Sequence, residues 1–134
     1  MEQKAVIILC DDLPIGLKAN IAAVVGMSLG RYHPDLVGPE AQTGDGTKLP
    51  GITTVPVPIL TSNEANLAEI FAAAHDAIDL AVPFGTAALT TRNYADYTAK
   101  LATLADRQQG IKGLLLLGPR KKVNRLIGQL PLLR

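Results

Sequence analysis

Lys4-Ala5-Val6-Ile7-Ile8-Leu9-Cys10 is a continuous apolar run containing three β-branched residues. A strand with one wet face alternates apolar and polar side chains. An unbroken run describes a strand buried on both faces, and so central in its sheet. Asp11, Asp12 and Pro14 end it. From Ile15 to Leu29 the positions Ile21, Val24, Val25 and Leu29 recur at helical spacing among small Ala and Gly residues. Those small residues let a helix pack closely on the sheet, and Gly30 is its expected stop. Ile111 to Leu117, with Leu114-Leu115-Leu116-Leu117 at its centre, is a second run of the first kind and is expected to be another central strand.

The intervening chain fills in the layers. Residues 31–51 are punctuated by Pro34, Gly38, Pro39, Gly44, Gly46, Pro50 and Gly51 and are expected to form a long irregular loop. Ile52 to Leu60 alternates like a strand, but Pro56 and Pro58 remove two ladder donors and push it to a sheet edge. Thr61-Ser62-Asn63-Glu64 has the capping-box pattern and predicts a helix to about His75, with Leu67, Ile70 and Phe71 inward. Ile78 to Pro83 is a third strand. Thr91 to about Leu104 is a helix packed through Tyr94, Tyr97 and Leu101. A polar turn at Asp106–Gly110 leads into the last strand, and Gly118-Pro119 opens a short basic helix that Gly128 closes. Alternating strands and helices predict a layered α/β domain with about four strands, spanning residues 1–134 as one unit.

Composition narrows the function. Aromatics are 4% and tryptophan is absent, so the core is aliphatic and stacking platforms for single-stranded nucleic acid are few. One cysteine, Cys10, excludes an internal disulfide and a multi-cysteine metal site. His33 and His75 have no partner at metal-ligand spacing, so neither a metal nor another cofactor is implied. The apolar run at the N-terminus is too short for a membrane span and too acid-flanked for a signal peptide, so a cytoplasmic protein is expected. Net charge is +1, yet residues 1–106 hold all twelve acids and six Lys/Arg, while residues 107–134 hold seven Lys/Arg and no acid. Such polarity marks an anion-binding face, a self-complementary dimer surface, or two halves that neutralise each other within one domain.

Two segments resemble the type II peptidyl-tRNA hydrolases. One is the opening run through Asp12-Leu13, followed by Ile21-Ala22-Ala23 at the start of the first helix. The other is Leu115 to Pro119, the basic helix with Val123, and the stretch Gly128 to Leu133. A bacterial family catalogued as a domain of unknown function is more closely similar, over nearly the whole chain. It shares Leu13-Pro14-x-Gly16-Leu17, Gly51-Ile52-Thr53 and the Gly118-Pro119-Arg120-Lys121-x-Val123-Asn124-Arg125 stretch. The resemblance implies a three-layer peptidyl-tRNA hydrolase II-like fold: a mixed four-stranded sheet with helices on both faces, and a homodimer. It does not carry the hydrolases' catalytic set. Their lysine before Ile-Ala-Ala is Asn20 here, with Lys18 two positions earlier, and their helical glutamine and histidine are Val24 and Met27. Their loop acid has only Asp106 as a loose counterpart.

Candidate chemistry falls in two clusters. Asp11, Asp12, Lys18 and Asn20 follow the first strand, where α/β folds gather ligands, and Asp106 with Gln108 could close on the same cleft. A carboxylate there could orient water while Lys18 or Asn20 stabilises an oxyanion; equally, Asp11 and Asp12 could cap the turn. Cys10 beside two aspartates reads as a core thiol rather than a nucleophile. Arg120, Lys121, Lys122 and Arg125 form the second cluster, a candidate anion or tRNA-backbone site or a solvated amphipathic face. The reading is of a non-hydrolase binding protein for a small polar ligand at the first cluster. The alternatives are a divergent hydrolase of peptidyl-tRNA or another ester or amide, and a structural dimer.

Overall fold

A computed structural model describes residues 2–134. The strands are β1 (Gln3–Cys10), β2 (Ala41–Gln42), β3 (Lys48–Leu49), β4 (Ile59–Ser62), β5 (Leu80–Phe84) and β6 (Gly113–Pro119). The helices are α1 (Ile15–Tyr32), α2 (Glu64–Ala74), α3 (Thr86–Leu89), α4 (Tyr94–Leu101) and α5 (Arg120–Ile127). The main sheet is four-stranded in the order β4-β1-β6-β5. β1 runs parallel to β4 and antiparallel to β6, and β6 is antiparallel to β5, so the sheet is mixed.

The two unbroken apolar runs are the two central strands, paired from Gln3↔Pro119 to Leu9↔Gly113. Because strand side chains alternate between faces, β1 supplies both cores. Ala5, Ile7 and Leu9 meet Ile21, Val25 and Leu29 of α1 on one face. Val6, Ile8 and Cys10 meet Leu67, Ile70 and Phe71 of α2 with Val123 and Ile127 of α5 on the other. Leu114 to Leu117 are wholly buried, at 0% exposure each. Full burial of each leucine contributes about 1.5–3 kcal/mol against leaving it in water. The helices therefore cover both faces of the sheet.

Several local expectations are corrected. α1 does not stop at Gly30 but reaches Tyr32, where Pro34 bars the residue before it from continuing the helix: His33 lies at φ −134°. The 31–51 segment holds a 3₁₀ turn, Pro34–Leu36, and the β2–β3 hairpin. Of the stretch 52–60 only its last two residues join the sheet, because Pro56 and Pro58 cannot donate. β4 is an edge as expected, and the tail closes over its outer side through Thr61 N–H to Pro131 O (2.9 Å) and Leu133 N–H to Ile59 O (2.8 Å). The α2 cap is Asn63, whose side chain accepts from Asn66 N–H. Thr61 and Ser62 cannot serve, since both remain in the ladder opposite Leu9 and Cys10. The helix expected over 91–104 is the shorter α4, and none of its residues is buried. Lying beyond the β5 edge, it packs chiefly on α3.

Gly113 sets how closely α1 approaches the sheet, since a Cβ there would meet Ile21 Cγ2 at 2.4 Å and Leu9 Cδ2 at 3.3 Å. Ile21 is fully buried and cannot retreat. Gly113→Ala should therefore lower the unfolding free energy by about 1–3 kcal/mol. Gly26 lies mid-helix, and a methyl group added to it would find nothing within 4 Å. It should respond oppositely, Gly26→Ala adding about 0.4–1 kcal/mol. Urea denaturation of the two variants checks both signs.

Candidate functional site

β1, β4 and β5 point the same way, so their carboxyl ends and the start of β6 share one end of the sheet. After β1 the chain turns to the face covered by α1; after neighbouring β4 it turns to the face covered by α2. Adjacent parallel strands whose connections leave in opposite directions open a crevice between them, the usual ligand position of open α/β sheets. Cys10, Asp11 and Asp12 form one lip and Ser62, Asn63 and Glu64 the other. The lips are joined by Asp11 N–H donating to Ser62 O at 2.9 Å.

Side chains from three further positions, Lys112, Lys18 and Asn66, complete the polar end. Lys112, from the residue before β6, reaches across to ion-pair with Glu64. That hydrogen bond holds the Lys112 ammonium above its usual range, with Asp12 adding a smaller attraction. Lys18 Nζ donates to Asp11 O at 3.0 Å, so the first turn of α1 folds back over the end of β1. Asn66 Nδ2 donates to Ser62 Oγ at 2.9 Å, satisfying the one buried polar residue of the region. Cys10 Sγ donates to Asp12 Oδ1 at 3.0 Å. Burial first, and then this hydrogen bond, pushes the thiol above its ordinary value. Among the described residues no buried side-chain polar atom lacks a partner.

Asp11, Asp12 and Lys18 thus meet at the crevice, and Asn20 lies two residues further along α1, exposed. Asp106 and Gln108 sit on the 3₁₀ turn before β6, committed to local bonds: Gln108 Oε1 accepts from Ala105 N–H (2.7 Å) and Asp106 Oδ1 from Gln109 Nε2 (2.8 Å). Asp106 shares a pocket with Glu64, between that turn and α2. Arg120, Lys121, Lys122 and Arg125 are exposed on α5, at the opposite end of β6. Arg120 is ion-paired with Glu2. Ser62, Glu64, Asn66 and Lys112 do not stand out in the sequence as site residues. Lys112 interrupts the apolar run from Ile111 to Leu117, and that interruption is the one local signal for it.

Cys10, Asp11 and Asp12 each bring one ligand atom within 4.8 Å of the others. Burial and the Asp12 carboxylate oppose formation of the thiolate that a metal would need. No helix among the described residues is long and apolar enough to cross a membrane.

The chain belongs to a family described as Protein of unknown function (DUF2000), whose model matches residues 3–134. No curated protein matches it. A solved structure of a protein of unknown function, Atu0240, from Agrobacterium tumefaciens str. C58 is similar, with a TM-score of 0.91 and 18% identity. That likeness covers 100% of this chain and 99% of the other, and at this identity it is a likeness of fold alone.

The Cys10 environment has a measurable consequence. Because the folded value lies above the ordinary 9.0, the thiol's contribution to stability is intact below about pH 9 and is lost as pH rises through the folded value. Iodoacetamide should alkylate the native chain at least about tenfold more slowly at pH 8 than the urea-unfolded chain. Asp12→Asn removes a carboxylate that opposes ionisation, and its pH–rate profile should move to lower pH.

Proposed function

We propose that this DUF2000 chain is a binding protein for a small polar ligand that carries both an amino and an acidic group. The carrying observation is the crevice between β1 and β4, where the exposed carboxylates of Asp11 and Asp12 lie near ammonium groups from two other elements, Lys18 and Lys112. Groups of both signs at one crevice suit a zwitterion, whose amino end pairs with carboxylate and whose acid end pairs with ammonium. Lys112 is the organising member, since it alone ties β6 to Glu64 at the start of α2.

Binding is favoured over hydrolysis for a chemical reason. Acyl transfer needs an activated nucleophile or a base aimed at water. The Cys10 thiol is pushed toward its inert protonated form by burial and by Asp12. Lys18 donates to the backbone carbonyl of Asp11 and keeps further N–H donors for a ligand, which suits it to binding. The fold kinship with type II peptidyl-tRNA hydrolases belongs to this proposal too, supported by β1 and β6 being the central pair and by the element order. The homodimer and a cytoplasmic site of action accompany it as parts of the same reading.

The decisive assay is release of N-blocked amino acid from N-blocked aminoacyl-tRNA by the purified chain, beside a calorimetric titration with free amino acids. No turnover, together with amino-acid binding that Lys112→Ala weakens about tenfold or more, is the expected result. Turnover that Lys18→Ala abolishes would make the chain a hydrolase and sink the binding reading.

A further inference from the structure

We infer that the cavity along the outer edge of β5 is a second site, which takes a planar aromatic molecule bearing an acidic group. The chain has two phenylalanines, three tyrosines and no tryptophan. All five rings, Phe71, Phe84, Tyr32, Tyr94 and Tyr97, line this one cavity of about 730 Å³. They arrive from α1, α2, β5 and α4, elements far apart in the chain, although the protein has few aromatics to place. The volume lies within the roughly 300–1,000 Å³ of small-molecule sites. Converging rings offer the face and edge contacts that select a flat, apolar ligand.

The state of α4 points the same way. Tyr94, Tyr97 and Leu101 recur at positions that share one helix face, the pattern of a face meant to be covered. The structure turns those three residues to the cavity and buries none of them; Tyr94 is 77% exposed. The two tyrosine rings touch at a tilt, with centroids 5.5 Å apart, and so are not stacked face to face. α4 packs chiefly on α3. A ligand seated between β5 and α4 supplies the apolar contact that this face lacks.

The acidic group follows from the cavity's charges. Its two charged lining residues are Arg92 and Asp106. Asp106 already accepts from Gln109, whereas Arg92 makes no ion pair among the described residues. An exposed guanidinium beside an aromatic wall is suited to a carboxylate on the ring system. An added strand, from a peptide or a second copy, is the rival occupant of a free sheet edge. Pro83, inside the five-residue β5, removes a donor from that edge and disfavours it. The cavity shares no lining residue with the crevice groups Asp11, Asp12, Lys18 and Lys112, so this site stands or falls separately from the proposed function.

The test titrates the full chain with 1-naphthoate by calorimetry, beside the Arg92→Gln and Tyr97→Ala variants, with 1-naphthalenemethanol as the uncharged analogue. The expected result is one naphthoate per chain, weakened about tenfold by either substitution and unchanged by Lys18→Ala. Arg92→Gln should leave the affinity for the alcohol unchanged. Arg92 and Tyr97 lie outside both cores, so the variants fold. No saturable binding, binding indifferent to both substitutions, or a dimer that binds naphthoate only after dissociating would overturn the proposal, the last in favour of a second copy.

Discussion

The antiparallel pairing of β1 with β6 is the constraint on which the molecule depends. Both strands are apolar on both faces, so neither can sit at an edge without exposing a row of Val, Ile and Leu to water. Placing them side by side at the centre obliges α1 to cover one face and α2 with α5 the other. β4 and β5 are then left as short flanks. The register from Gln3↔Pro119 to Leu9↔Gly113 also decides what lies at each end. Cys10 and Lys112 are brought together at one end, and Glu2 and Arg120 at the other.

That register explains why the two charged clusters do different things. The crevice inherits polar groups from several separate elements, because the ends of β1 and β4 and the starts of α1, α2 and β6 converge there. The basic residues of α5 sit at the far end of β6, beside Glu2, which precedes β1, rather than beside the crevice. The charge imbalance between residues 1–106 and 107–134 is therefore partly neutralised within the fold, by Arg120 with Glu2 and by Lys112 with Glu64.

The central strands, the edge position of β4 and the basic last helix were legible in the sequence because each rests on a local pattern: an unbroken apolar run, prolines in a strand, a Gly-Pro start. Elements decided by competition were not. Thr61 and Ser62 look like caps, but the ladder to β1 claims their backbone, and Asn63 takes the role. Tyr94, Tyr97 and Leu101 have the spacing of a covered face, yet the structure buries none of them, because periodicity says nothing of whether another element lies opposite. At the crevice, Asp11, Asp12 and Lys18 were visible because they adjoin the first strand. Glu64 and Lys112 were not, since 48 residues separate two side chains that meet only through the sheet.

If the crevice between β1 and β4 is where this protein meets its ligand, the amides around it must respond when that ligand binds. Amide chemical-shift mapping of the full chain against a mixture of free amino acids reads that response residue by residue. Shifts gathered at Asp11, Asp12, Asn63, Glu64 and Lys112, with α5 silent, are the predicted result. Shifts centred instead on Lys121, Lys122 and Arg125, or none at the crevice at saturating ligand, would contradict it.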